Sequence, residues 1–384
     1  MVGFLLGAAG MLAVMYSTQA ILPELGRDFD VGPAQAGLTI SVLVIAVAVG
    51  AWIWGPISDR YGRRRTLVAA SALLVLPSVG AALAPTFEAL LACRALQGFV
   101  MPGLLAVGLP YVAEAFVPRH GSRAMGYYVA ALIAGGLIGR VGVALVTAIT
   151  GWQLALGLVA LLPAAGAVVM HRSLLDLPLP ERSEHRWHGI MAQLTNPRLL
   201  RATAAGCAFA FTFVGTFSYV TFRLEERPFG LDTAETSVVF FLWLLGGLVP
   251  FAGRLAERIG LVRLALGALA LAASGLVVSL PDVLPLLVLG LAAVTLANFA
   301  GVTAAQLGVA DAATVDRGVA SAVYFSLYYT ASAVGGYVPG LAWEAWGWTG
   351  VALLGLGAVT AASLALATTR TRGTASSIPD AGRP

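Results

Sequence analysis

The chain contains no lysine: all 23 basic residues among its 384 are arginine. A phosphate-gripping P-loop needs a Gly-Lys pair, so the ATP-hydrolysing subunit of a pump is excluded, and so is Schiff-base chemistry on lysine. Charge of either sign is scarce. Only 11% of residues are Asp, Glu, Lys or Arg, against 59% apolar, where soluble domains carry roughly 25% charged residues. That excludes an ordinary soluble domain, a disordered chain and a nucleic-acid binder, so the formal charge of +4 needs another explanation. Cysteine is limited to Cys93 and Cys207, far apart and inside apolar runs, which reads as packing. The four histidines, His120, His171, His185 and His188, fall in polar loops. His185 and His188 have metal-like spacing but no further ligands, so no metal site is expected. No nucleophile, base and orienter occur together, and no enzyme is expected. No basic segment precedes the first apolar run, which reads as a retained helix, not a cleaved signal.

What the sequence has in abundance is long apolar runs. A helix crossing a bilayer needs about 20 mostly apolar residues, because nothing in the hydrocarbon can satisfy an open backbone. Twelve runs qualify, at roughly 2–22, 36–55, 66–84, 88–111, 124–147, 153–170, 202–222, 235–254, 262–280, 284–308, 319–341 and 349–369. The expected fold is all-α: twelve transmembrane helices in two pseudo-symmetric six-helix bundles. The expected parts are a bundle at 1–170, a cytoplasmic linker at 171–201, a bundle at 202–369 and a disordered cytoplasmic tail at 370–384. With loops numbered alternately, 18 arginines fall on one side and three, Arg27, Arg223 and Arg227, on the other. The positive-inside rule places the arginine-rich side and both termini in the cytoplasm. Arg94 and Arg140 are the two left inside apolar runs.

The halves repeat. Gly55-Pro-Ile-Ser-Asp59-Arg60-Tyr-Gly62-Arg63-Arg64-Arg65 follows the second run, and Gly253-Arg-Leu-Ala-Glu257-Arg258-Ile-Gly260-Leu-Val-Arg263 follows the eighth, offset by 198 residues. Glu114 and Asp311 correspond at nearly the same offset, as do Gly151-Trp152 and Gly347-Trp348. Parallel six-helix repeats flanking a central site are an architecture of secondary transporters. The chain resembles the major facilitator superfamily over essentially its whole length. Gly55 to Arg65 is similar to the family's loop signature Gly-x-x-x-Asp-Arg-x-Gly-Arg-Arg/Lys. Arg94-Ala-Leu-Gln97-Gly98 is similar to the fourth-helix signature of proton-linked members. Tyr16 to Pro23 with Gly139-Arg140 resembles the bacterial sugar-efflux and acriflavine-resistance-type exporters.

The resemblance implies a gate. Asp59, Arg63 and Glu114, flanked by Gly55, Arg60, Gly62 and Arg64, would form a charge cluster closing the cytoplasmic side, with Glu257, Arg258 and Asp311 as a weaker copy. The competing reading is plain positive-inside anchoring. Arg94 and Arg140 lie at matched depth, roughly 10 Å below the outer surface at 1.5 Å per residue. Gln97 is one turn from Arg94, and Tyr16 and Gln19 reach comparable depth. None of the 19 acids lies clearly mid-membrane, so the cavity is expected to be positive and to favour an anionic, zwitterionic or hydroxyl-rich substrate. Each arginine has an alternative use, donating to backbone carbonyls and fixing helix geometry. Asn298 on the tenth run and Tyr328 on the eleventh are further cavity candidates. Arg140 stands where antiporters of the family often carry proline, and the first helix lacks the acid of many cation exporters. The expected function is export of a small polar or amphipathic molecule, drug- or sugar-like, by proton antiport. The alternatives are an importer or exchanger of an organic anion held by Arg94 and Arg140, and a non-transporting membrane sensor. The partners expected are a small-molecule substrate and the lipid bilayer of a bacterial inner membrane. The chain is expected to act as a monomer, with no cofactor, the proton gradient supplying energy. Replacing Asp59 by Asn should cripple transport while membrane insertion, read by fractionation, stays normal; wild-type transport rates would remove the gate role.

Overall fold

The structure is a computed structural model and describes residues 1–117, 121, 123–177, 189–313 and 317–367. His120, His185, His188 and the 370–384 tail lie outside the described residues. The described chain is helical throughout, and its membrane helices follow the apolar runs: α1 (Val2–Phe29), α2 (Pro33–Tyr61), α3 (Arg63–Ala82), α4 (Phe87–Phe116), α5 (Arg123–Thr150), α6 (Trp152–Ser173), α7 (Pro197–Glu225), α8 (Thr233–Ile259), α9 (Leu261–Val278) and α10 (Leu284–Ala312). The last helical stretch, Arg317–Ala367, is two helices, α11 (317–346) and α12 (348–367), parted at Gly347 with φ 58°. A short helix, Gly189–Leu194, lies in the linker.

The sequence repeat reappears in the backbone. Gly62 and Gly260 have φ 89° and 87° and separate α2 from α3 and α8 from α9. Gly151 and Gly347 have φ 91° and 58° and divide α5 from α6 and α11 from α12. Left-handed φ strongly disfavours a side chain, so each pair marks the same turn in both halves.

Within the first six helices, α1 packs on α5 and α6, and α2 on α4; within the last six, α7 packs on α10 and α11, and α9 on α10. The halves meet where α2 packs on α11, α5 on α8 and the second part of α1 on α7. The face bearing the N-terminus and residues 171–177 and 189–201 is the linker face, and the other the far face. The far face is tied across the halves. Arg27 of α1 pairs with Glu225 of α7 at 2.6 Å. Glu344 of α11 accepts the backbone N–H of Ala34, at the start of α2, at 3.0 Å. Deeper along the same seam, Ser41 donates to the Ala333 carbonyl at 2.6 Å and Trp52 to Ser326 at 2.9 Å.

Among the described residues, several helices depart from α geometry. The first helix does not run unbroken, as its hydropathy predicts: it stops at Tyr16, turns at Ser17 and Thr18, and resumes through a 3-10 turn at Gln19–Ile21. α4 ends in a π segment, Val112–Phe116, and α5 contains another, Ile138–Gly142. α8 carries a 3-10 segment, Val238–Leu248, of 11 residues; runs beyond three or four are uncommon, and π turns gather at functional sites. The α1–α5 seam is close enough that a Cβ on Gly139 would stand 2.8 Å from the Ala13 Cα. Gly139→Leu should therefore abolish recovery of monodisperse protein in size-exclusion chromatography. Gly126→Ala, whose added Cβ meets nothing within 4 Å, should leave the elution profile unchanged.

Candidate functional site

Arg94 and Arg140 are each only 1% exposed, so their charges have to be met by protein or ligand. The two are met differently. Arg94 sits in α4 opposite the break in α1. Its Nη1 donates to the Val14 carbonyl at 2.8 Å and its Nη2 to the Met15 carbonyl at 2.8 Å. Both carbonyls belong to the last turn before the break, where helical partners run out; the Val14 carbonyl also accepts from Ser17 Oγ at 2.9 Å. Nε donates to the Thr39 carbonyl of α2 at 3.0 Å, and Nη1 also reaches Gln97 Oε1 at 2.8 Å. Gln97 Nε2 in turn donates to Ser78 Oγ at 3.2 Å. Every nitrogen of this guanidinium is spent on α1, α2 and α4.

Arg140 lies in the π segment of α5 and reaches the seam between the halves. Its Nε donates to Gln19 Oε1 at 2.7 Å, and Gln19 Nε2 donates on to Ser218 Oγ of α7 at 3.3 Å. Nη1 makes a long bond to the Gly136 carbonyl at 3.3 Å. Its carbon is 3.6 Å from the Tyr16 ring centre, 4.4 Å from Trp243 and 5.5 Å from Phe240. Such contacts contribute roughly 0.5–2 kcal/mol each to holding the cation. Phe240 and Trp243 both reach it because residues three apart eclipse in a 3-10 helix, and the two fall in that segment of α8. Among the described residues, two buried donors at this site have no hydrogen-bond partner of good geometry, Arg140 Nη2 and the indole N–H of Trp243. The indole and the guanidinium both border Gly136, where an added Cβ would be 3.0 Å from Trp243 Nε1 and 3.2 Å from Arg140 Nη1. Among the described residues, no carboxylate pairs with Arg94 or Arg140.

Tyr16, Gln19 and Arg140 thus come together, whereas Arg94 and Gln97 form a separate cluster behind the α1 break. Asn298 is buried with an unpartnered Oδ1, beside Phe299, whose ring meets Trp243 at 5.2 Å. Tyr328 belongs to a run of tyrosine contacts with Tyr324 and Tyr329. In the loop motif, Arg63 pairs with Glu114 at 2.7 Å, bringing the end of α4 to the start of α3 within one half. Arg64 pairs with Asp176 at 2.6 Å and donates to the His171 carbonyl at 2.8 Å, fastening the linker. In the second copy, Glu257, Arg258 and Asp311 are exposed, and among the described residues no ion pair joins them to another group.

The family model for the Major Facilitator Superfamily matches residues 4–249. The chain belongs to that superfamily. It is similar to an uncharacterized MFS-type transporter, YybF, of Bacillus subtilis, 27% identical across 90% of this chain and 87% of that one. It is also similar to the inner membrane transport protein YnfM of Escherichia coli, 27% identical across 88% and 82% of the two chains. The fold superposes on a bacterial homolog of the human lysosomal transporter Spinster, solved inward-facing and unoccupied, with TM-score 0.75, 15% identity and coverage of 96% and 94%. The chain is therefore a multi-pass membrane transporter of this superfamily and not an enzyme.

For a superfamily transporter, the residues that sequence inspection passes over are Phe240 and Trp243. A signal was available: Trp243 stands mid-run, whereas membrane tryptophans gather at the two interfaces. The two arginines should separate in stability. Arg94→Ala takes a donor from the Val14, Met15 and Thr39 carbonyls and from Gln97 and loosens α1, α2 and α4 from one another; a buried carbonyl left unpaired, as at Met15, costs roughly 1–3 kcal/mol. Thermal melting in detergent should therefore fall well below wild type for Arg94→Ala. It should fall much less for Arg140→Ala; the reverse order would contradict this division.

Proposed function

We propose that this chain is an exporter of the cell inner membrane, with both termini cytoplasmic, acting as a monomer. In this reading it moves a small amphipathic molecule whose head is negatively charged or a strong hydrogen-bond acceptor. The observation that carries the reading is the pair of unpartnered buried donors, Arg140 Nη2 and Trp243 Nε1, on the seam between the halves. A buried donor without a partner costs free energy, and an acceptor-bearing ligand would remove that cost. The three rings around the cation supply the apolar side of the same site.

Supporting the orientation is the 18-to-3 distribution of arginines, and supporting the location is the name of the Escherichia coli relative. With that orientation the linker face is cytoplasmic, and the far-face ties put the halves in a state closed to the outside. Export by proton antiport rests on the fourth-helix signature and the resemblance to sugar-efflux and acriflavine-resistance-type exporters. Gly55, Asp59, Arg60, Gly62, Arg63, Arg64 and Glu114 would form the cytoplasmic gate. Arg94 and Gln97 would act by holding the broken helix that presents Tyr16 and Gln19.

A thermal-shift screen of purified wild type beside Arg140→Gln tests the site. A ligand at about 100 times its dissociation constant stabilises the folded state by roughly 2.7 kcal/mol. Organic acids should raise the wild-type melting temperature and lose the effect in Arg140→Gln. Stabilisation by cationic dyes that survives the substitution would make Arg140 structural. Efflux of a ligand so identified from cells should collapse when a protonophore is added; persistence would remove proton coupling.

A further inference from the structure

Resting on the reading that an acceptor-bearing head is held at Arg140, the geometry narrows the ligand. We propose that the substrate is an aromatic monocarboxylate, its carboxylate on Arg140 Nη2 and Trp243 Nε1 and its ring against Tyr16, Trp243 and Phe299.

The single negative charge follows from the count of free cations. Arg94, the other buried arginine, donates through all three nitrogens to α1, α2 and α4. One guanidinium with an open nitrogen, helped by one neutral indole donor, matches one carboxylate. A second carboxylate would have no cation among the described residues of the site. Tyr16 and Trp243 flank the Arg140 guanidinium at 3.6 and 4.4 Å from two adjacent sides, and its Nε and Nη1 are bonded to Gln19 and the Gly136 carbonyl. Nη2 is the nitrogen left for an anion, and carboxylates prefer to meet a guanidinium in its plane.

The flat body follows from the rings. Tyr16, Trp243 and Phe299 are half-buried and keep open surface, while Phe240 and Phe217 behind them are 1% and 2% exposed. Trp243 meets Tyr16 at 5.6 Å and 61° and Phe299 at 5.2 Å and 63°, both edge-on. Phe213 continues the cluster, 5.8 Å from Trp243. A further aromatic ring joins such an array through edge-to-face contacts that a saturated ring of the same size does not make. A sugar is poorly matched, since its several hydroxyls would face ring carbons and go unpaired.

Benzoate and cyclohexanecarboxylate share charge and size and differ in aromaticity. Binding to the purified full-length protein should favour benzoate by about fivefold, within the range that aromatic pairs supply. Trp243→Phe keeps a ring and removes the indole donor, so it should weaken both acids about equally while the benzoate preference remains. Phthalate, with two carboxylates, should bind more weakly than benzoate. Equal binding of benzoate and cyclohexanecarboxylate to wild type would overturn the aromatic assignment and leave the Arg140 reading standing. Benzoate binding no tighter than neutral benzamide, and unchanged in Arg140→Gln, would overturn that reading and the inference with it. The wild-type comparison needs no variant and so decides the matter even where Trp243→Phe fails to fold.

Discussion

A helix can be interrupted inside a bilayer only if other groups take up the backbone carbonyls that the interruption frees, and here the Arg94 guanidinium does so. Its donors close the end of the first segment of α1 at Val14 and Met15. The turn at Ser17 and Thr18 then swings Gln19 to Arg140 on one side and Ser218 on the other. Lysine could not serve in the same place. It offers a compact point charge on a flexible stem, whereas the guanidinium spreads its donors over a rigid fork. The arginine-only composition of the chain thus includes at least one position where the choice has a structural consequence.

The two buried arginines divide the labour of one helix pair. Arg94 satisfies backbone and is satisfied by it; Arg140 is cradled by rings and keeps a nitrogen open. Irregular helix geometry surrounds the second. The π segment of α5 carries Arg140, and the 3-10 segment of α8 aligns Phe240 with Trp243. Arg140 occupies the position where many antiporters of the superfamily have proline. The helix there is irregular all the same, through a π turn, which is another recognised source of local bending.

Much of the fold is legible in the sequence, because the constraints on it are strong and local. Twelve apolar runs, a glycine–acid–arginine motif and its partner 198 residues later are enough to give the architecture, and positive φ at Gly62 and Gly260 shows why those glycines recur. The site is less legible because its causes are distant. The break in α1 falls within an apolar stretch, and the residue that stabilises it is 80 positions from Val14. Arg94 and Arg140 look alike as sequence, equally deep and equally lacking a counter-charge. Only their partners separate them. Phe240 and Trp243 are invisible for a further reason: a helix drawn with 3.6 residues per turn splays them by about 60°, and the 3-10 stretch removes that splay.

The contact between Glu344 and Ala34 has a consequence for how such a molecule could rock. The N–H of Ala34 is one of the four donors that every helix leaves open at its start, and the group that accepts it belongs to the other half of the protein. Gly32 makes room for that carboxylate, since a Cβ there would lie 2.8 Å from Glu344 Oε1. The positive pole of α2 is therefore neutralised in trans, and only while the far face is shut. Any motion that parts this face exposes an uncapped helix end to water and returns a carboxylate to solvent at the same moment. The energy difference between the two states then carries an electrostatic component that salt and acid in the medium on that side can reach.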